Sequence, residues 1–222
     1  MEGSKNTMVI GVLVAGLLLG GVAGFAISGS GDDESAQSSV ASTDTKAADL
    51  RVLLNNLEAE HVDLAAAATR AGFDGSKDFN AAAAALGNNT QDLTDAIASV
   101  YGEEAGAQFK QIWESHIGFF VDYTVAAKSG DEAGMAEAVQ NLNGYVEAIS
   151  TFLSGANPNL PKDAVATLVT EHVGLLKEAV DTYGAGDFEG SYDAQARARD
   201  QITNKIADTI AGAIVKQNPE KF

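Results

Sequence analysis

The sequence contains no cysteine, and this absence removes a whole group of functions. Disulfide bridges, thiolate metal sites and cysteine nucleophiles are all excluded. Proline occurs only three times, and aromatic residues make up only 7% of the chain. Because alanine favours helices whereas aromatic residues favour strands, an alanine-rich chain with few aromatic residues favours helices over a sheet.

Basic residues are also scarce. Lysine and arginine together number 14 against 31 aspartate and glutamate residues, which gives a net charge of −17 and an isoelectric point near 4.3. Without a basic patch to neutralise phosphates, the chain is not expected to bind nucleic acid or an anionic membrane surface. An acidic surface instead attracts cations or basic protein partners. Adaptation to high salt explains the same charge equally well.

The sequence lacks the short motifs of common catalytic sites. It has no glycine-rich phosphate loop, no His-Glu-x-x-His zinc motif, no nucleophile elbow and no c-type haem attachment motif. No pair of nucleophile and general base is apparent either. We therefore expect that the protein is not an enzyme.

One long uncharged run stands near the start of the chain, at residues 8–27. A helix of this length spans about 30 Å, which is the thickness of the hydrocarbon core of a bilayer. We favour an uncleaved, single-pass anchor formed by residues 1–27, through which the protein contacts the membrane. The alternative is a signal peptide cleaved after Ala26, where Gly24 and Ala26 suit the small-residue rule, and the protein would then be secreted. Both alternatives predict that the rest of the chain lies outside the cytoplasm.

Two further segments follow the anchor. Residues 28–47 are rich in serine, glycine and aspartate and nearly free of apolar side chains, which predicts a disordered linker. Residues 48–222 show apolar side chains at helical spacing between five turn signals. We predict an all-α domain, a six-helix bundle made of three helical-hairpin repeats, with helices at about 48–71, 78–100, 104–128, 132–154, 161–183 and 188–216.

The three histidines of the chain mark the repeat. His61, His116 and His172 are nearly equally spaced and fall on the first, third and fifth predicted helices. Apolar residues one and two turns before each histidine, and one turn after it, predict that all three imidazoles point into the core. Short turns make neighbouring helices antiparallel, so the three histidine helices run parallel and place the imidazoles at similar heights.

A buried imidazole needs a hydrogen-bond partner or a metal ion. If the three histidines converge, they suit a zinc- or copper-class ion. If the three histidines do not converge, each is a buried residue that hydrogen-bonds its own polar partner in the core. Asn89 and Tyr145 lie on otherwise apolar stripes of the second and fourth helices and are candidates to orient His61 and His116. The matching region around Asp200 is too divergent to assign.

A second pattern involves the first histidine alone. Glu58-x-x-His61 has the spacing found in di-iron carboxylate bundles, where the motif recurs on a second helix. Here Trp113 and Val169 precede the other two histidines at that spacing. Because the pattern occurs only once, we interpret it as chance.

Several motifs together resemble a family of exported bacterial helical-bundle proteins with repeated Glu-His motifs. They extend over roughly residues 50–222 and include Glu60-His61-Val62, Asn89-x-x-Asp92-Leu93, His116-Ile117, Phe152-Leu153-Ser154-Gly155-Ala156-Asn157-Pro158, Glu171-His172-Val173, Tyr192-Asp193 and the ending Ile214 to Phe222. The resemblance implies a helical fold and export, but no particular reaction. The sequence departs from this pattern at Ser115, where glutamate is expected, and at Tyr145-x-x-Ala148, where Asn-x-x-Asp is expected.

Two functions from different classes follow from these patterns. The first is a membrane-anchored, extracytoplasmic binding module that holds a metal ion or a small ligand through His61, His116 and His172. The second is a structural or protein-interaction domain at the cell surface, whose histidines fill polar slots and bind no ligand.

Overall fold

The computed structural model describes residues 43–222, which are helical throughout except at the turns, with no strand in this range. The predicted all-α class and the six helices are confirmed. The sixth helix is interrupted by one wider turn. The helices are α1 (Lys46–Asp74), α2 (Phe79–Tyr101), α3 (Glu103–Ser129), α4 (Glu132–Ala156), α5 (Lys162–Gly184), α6 (Phe188–Gln201), a π-helical segment (Ile202–Ala207) and α7 (Asp208–Gln217).

The predicted anchor at residues 8–27 lies outside the described residues, as does most of the predicted linker. The described chain reaches α1 at Lys46, so the last two residues assigned to the linker are helical. Within residues 43–222, no helix combines the length and hydrophobicity that crossing a membrane requires.

Side-chain caps and glycines set the helix ends. Thr45, Asp131 and Asp187 each precede a helix, and the side-chain oxygen of each accepts a hydrogen bond from the amide three residues later. α1 and α3 end at Gly75 and Gly130, whose φ angles of 68° and 69° lie in the left-handed region that favours glycine. These caps produce the short turns that make consecutive helices antiparallel.

The bundle closes because α1 packs against the last helices as well as against α2. Apolar side chains of the central core come from α2, α3, α4 and α5, and Leu50 and Leu54 of α1 pack against Ala211 and Ile214 of α7. α1 also contacts α3 and α5. The three histidine-bearing helices therefore meet inside the bundle, which places their inward faces around one interior region.

The π-helical segment begins directly after Gln201. A wider turn of this kind inserts one residue into a helix and changes the direction of the side chains beside it, and it occurs frequently at functional sites. The Gln201 side chain is buried at 3% exposure and faces α5. The sequence analysis predicted an uninterrupted sixth helix and missed this segment.

The turn after α4 depends on Asn157, which is fully buried. Its Nδ2 donates to the Tyr101 hydroxyl at 3.0 Å, and its Oδ1 accepts from the amide of Asn159 at 2.9 Å. We expect Asn157→Ala to lower the free energy of unfolding by about 1–3 kcal/mol, because it removes two hydrogen bonds of a buried side chain whose partners are themselves half-buried. Urea denaturation measures the loss. Asn143→Ala, at an exposed position of α4, is the control, and equal losses in both variants would contradict this role for Asn157.

Candidate functional site: buried histidines between two cavities

The three histidines are all buried, as their apolar register predicts. His61, His116 and His172 are 1%, 5% and 7% exposed. The ring centroids of His61 and His116 are 5.5 Å apart. All three imidazoles line a single interior cavity of about 40 Å³. The inward faces of α1, α3 and α5 thus bring the three imidazoles to the same cavity.

Each imidazole carries a fully buried nitrogen without a hydrogen bond in the described part of the chain. His61 Nδ1, His116 Nδ1 and His172 Nε2 are inaccessible to solvent and have no partner within residues 43–222. Buried polar atoms are nearly always satisfied, so such atoms indicate a water, an ion or a ligand that completes them. A cavity of this volume is large enough for at least one water molecule.

Glu58 also lines this cavity, and it lies about one turn before His61 on α1. The side chain is 5% exposed, and its Oε2 has no hydrogen-bond partner in the described part of the chain. Burial raises the pKa of Glu58 to about 8, so the carboxyl group is mainly protonated near neutral pH. Its place on the stripe of Leu54 and His61 was the available signal.

Burial has the opposite effect on the imidazoles, because it disfavours their charged form. Burial lowers the pKa of His116 to about 3, and the nearby main chain of Trp113 opposes part of this shift. The contact with Trp113 is not a hydrogen bond of ordinary geometry, since His116 Nδ1 has no such partner among residues 43–222. Burial also lowers the pKa of His172 to about 4, opposed by Gln201. The pKa of His61 is also well below 6.5 because of burial and its two histidine neighbours. All three rings are therefore neutral at pH 7.

Amides from the even helices support two of the histidine helices in the same way. Asn89 Nδ2 donates to the carbonyl of Leu57 at 2.9 Å, and Gln201 Nε2 donates to the carbonyl of Leu168 at 2.9 Å. Each carbonyl lies one turn before a histidine. Gln201 also contacts His172 directly, with 3.1 Å between Oε1 and Nδ1. Gln201 is thus the third-repeat residue that the sequence analysis could not assign.

Asn89 lies beside His61, whose imidazole the sequence analysis predicts that it orients. It makes no hydrogen bond of ordinary geometry to His61, and its Nδ2 instead contacts Glu60 Oε2 at 3.2 Å. Asn89 therefore holds the main chain and the exposed acid beside His61, and its amide also opposes the lowering of the His61 pKa by burial. Its remaining oxygen is buried and has no partner among residues 43–222.

The helices that carry His116 and Tyr145 make different contacts. Tyr145 stacks on His116 with the ring centroids 4.5 Å apart and the planes 22° apart. The Ser115 hydroxyl donates to the carbonyl of Ile112 at 2.6 Å, which is the carbonyl equivalent to those that the amides bind in the other repeats. The two departures from the predicted repeat pattern therefore go together. Because Ser115 bonds the carbonyl of Ile112, no amide is needed at position 145, and Tyr145 stacks on the imidazole instead.

The predicted zinc- or copper-class centre has no formed coordination shell. Within residues 43–222, no group of three or more histidine, aspartate or glutamate side chains is arranged to hold a metal ion. The rings of His61 and His116 are tilted by 52°, His116 lies against Tyr145, and one nitrogen of His172 is engaged by Gln201. The imidazoles share a cavity, but binding an ion would require some of them to rotate.

A second, larger cavity adjoins the same histidines. Its volume is about 450 Å³, and its lining is predominantly apolar. Small side chains of α1 and α2 leave the space open, and Phe73, Phe79 and Phe120 form parts of its wall. His61 and His116 belong to the lining of both cavities, whereas His172 belongs only to the smaller one. The sequence analysis did not predict this cavity.

Comparison of the chain with protein-family models, curated proteins and solved structures finds no match. The resemblance to exported helical-bundle proteins stays a prediction. The geometry of the two cavities is therefore the basis for a functional assignment.

Proposed function

We propose that this domain is a binding module for a small, largely apolar molecule, which occupies the 450 Å³ cavity with His61 and His116 at its inner wall. The observation that carries the proposal is this cavity. Its volume falls in the range of about 300–1,000 Å³ that is usual for small-molecule sites. Such sites combine mainly apolar walls with a few polar groups, and residues with shifted pKa values commonly lie beside them.

The neutral imidazoles fit this role. Burial lowers the pKa of both His61 and His116, so the inner wall carries no charge that would repel an apolar group. At the same time, a nitrogen of each ring remains able to bond a polar atom or a bound water. The wall can therefore accept apolar contact over most of its area and make one or two specific hydrogen bonds.

Blocking the cavity tests this proposal. Gly87 lines the cavity, and a Cβ atom at this position would meet nothing within 4 Å. We expect Gly87→Phe to weaken the binding of decanol, used as an apolar probe, about tenfold or more, because the ring takes up space in the cavity. Isothermal titration calorimetry measures the affinity. Gly118→Phe changes an equally open helical glycine outside the cavity lining and should bind like the native protein. Unchanged binding by Gly87→Phe would place the probe elsewhere.

A metal ion at the 40 Å³ cavity is a second candidate, favoured by the three unpartnered imidazole nitrogens and Glu58. Three imidazoles and one carboxylate match the ligands that zinc takes. Because Glu58 holds a proton near neutral pH, zinc binding should release close to one proton per ion. Zinc titrations in buffers of different ionisation enthalpy count the protons. No saturable binding, or binding that Glu58→Gln leaves unchanged, would remove this candidate.

We propose further that residues 8–27 hold the domain at the outer side of a cell membrane. The support is the uncharged run and the acidic residues that follow it. A reporter that is active only in the cytoplasm, fused after Phe222, should be silent, and clear activity would contradict this location. If neither decanol nor zinc binds, the domain is structural or interacts with proteins, and its histidines only fill the core.

A further inference from the structure

Arg70 lies in the last part of α1 and contributes to the lining of the 450 Å³ cavity. Its guanidinium carbon is 4.0 Å from the centre of the Tyr192 ring and 5.7 Å from that of Tyr183. Its Nη2 donates to the Ser191 hydroxyl at 3.3 Å. The guanidinium group is therefore held in place by aromatic stacking, while most of its five hydrogen-bond donors remain available.

Arg70 has no ion pair with any aspartate or glutamate between residues 43 and 222. The nearby carboxylate of Asp74 accepts a hydrogen bond from the Tyr183 hydroxyl at 2.6 Å. The other three arginines of the chain are all paired, as Arg51–Asp208, Arg197–Glu178, Arg197–Asp193 and Arg199–Asp63. In a chain with more than twice as many acidic as basic residues, an arginine without a carboxylate at the edge of a cavity is a distinctive feature.

We propose that the ligand of this module is an amphipathic aliphatic carboxylate, whose carboxylate binds Arg70 and whose apolar chain extends along the cavity toward His61. This inference rests on the proposed function and names the class of ligand. Arginine presents parallel N–H groups that match both oxygens of a carboxylate. The cavity supplies the apolar walls for the rest of the molecule.

The charges around the cavity fix the orientation of the ligand. Among the described residues of the lining, Arg70 and Glu114 are the only ones with a formal charge at pH 7. Glu114 is exposed, lies two positions before His116, and is 3.9 Å from Lys110. The acid thus disfavours a carboxylate at the histidine end, and the neutral imidazoles there accept the apolar end.

The dimensions agree with a chain of medium length. Arg70 follows His61 on the same helix by nine residues, which corresponds to about 13 Å along the axis at 1.5 Å per residue. An extended chain of about ten carbon atoms covers most of this distance. Decanoate and decanol are therefore suitable probes, since they differ mainly at the end that Arg70 would contact.

Calorimetric titrations with the two probes test the inference. The native domain should bind decanoate about tenfold or more tightly than decanol, as expected for a hydrogen-bonded ion pair in a partly buried site. Arg70→Gln should remove this preference, lowering the affinity for decanoate about tenfold more than the affinity for decanol. Arg51→Gln makes the same change in net charge on the same helix, outside the cavity lining, and should retain the preference. Arg70→Lys keeps the charge and should retain part of the preference.

The outcomes separate the two proposals. If decanoate and decanol bind the native domain equally well, the proposed binding of apolar molecules is supported and the proposed role of Arg70 is overturned. If Arg70→Gln weakens the binding of decanol as much as the binding of decanoate, Arg70 shapes the cavity instead of binding a carboxylate. The same conclusion follows if Arg70→Gln does not fold and Arg70→Lys binds decanol poorly. If neither probe binds the native domain, the proposed function itself fails.

Discussion

The variant His116→Phe is expected to gain about 3 kcal/mol of unfolding free energy relative to the native protein when the pH falls from 7 to 4. Burial lowers the pKa of His116 from 6.5 to about 3. In the unfolded chain the imidazole takes up a proton below about pH 6.5, whereas in the folded protein it stays neutral. Its burial therefore costs about 1.4 kcal/mol of stability for each pH unit below 6.5, and phenylalanine removes this cost.

Urea denaturation of both proteins across this pH range gives the difference directly. Phenylalanine keeps an aromatic ring against Tyr145 and Trp113, which limits any repacking that does not depend on pH. Trp113→Phe is the matched control, because it changes the same aromatic cluster without removing a titrating group. The stability difference between Trp113→Phe and the native protein should be the same at pH 7 and pH 4. An equally constant difference for His116→Phe would show that His116 is protonated in the folded protein.

The variant Glu58→Gln is expected to show the opposite trend, gaining up to about 5 kcal/mol relative to the native protein between pH 4 and pH 9. Burial raises the pKa of Glu58 from 4.5 to about 8. The stability linked to this proton is fully present below the unfolded pKa and is lost as the pH rises through 8, because the unfolded chain releases the proton much earlier. Glutamine keeps the shape of the protonated carboxyl group and cannot ionise.

Denaturation curves from pH 4 to pH 9 measure this effect, with Glu137→Gln as a control that removes an exposed carboxyl group on α4. A flat difference between Glu58→Gln and the native protein would contradict the buried, protonated state of Glu58. Addition of zinc refines the experiment. If zinc binds at the 40 Å³ cavity, Glu58 becomes an ionised ligand, and Glu58→Gln should then be less stable than the native protein under zinc.

The sequence predicted the helices well because their signals are local. Apolar residues recur at helical spacing, and capping residues such as Asp131 and glycines such as Gly130 mark the turns. The same periodicity predicted that the three histidines are buried. Short turns, which the sequence also indicates, make the odd helices parallel. The convergence of the histidines on one cavity depends in addition on how the helical hairpins wrap around one another, which the sequence does not give.

The remaining parts of the site could not be obtained from local patterns. Glu58 looked accidental because its spacing from His61 occurs only once, and the repeat gave no reason to expect an acid at one histidine alone. Gln201 lies 29 residues after His172, as Tyr145 does after His116, and this spacing was the available signal, but it was missed because the residue type differs from both Asn89 and Tyr145. The larger cavity depends on how small residues of α1 and α2, such as Ala66 and Ala83, face one another across the bundle, and composition alone does not determine that packing.

The central claim is that neutral, buried histidines separate a small interior cavity beside Glu58 from an apolar ligand site. Long-range proton–nitrogen NMR of the imidazoles tests it most directly, because the chain has only three histidines and each ring reports its own protonation. We expect three neutral rings at pH 6, and we expect decanoate to shift the signals of His61 and His116 more than that of His172, which does not line the larger cavity. Rings that titrate near pH 6.5, or decanoate binding that leaves His61 and His116 unchanged, would contradict the account.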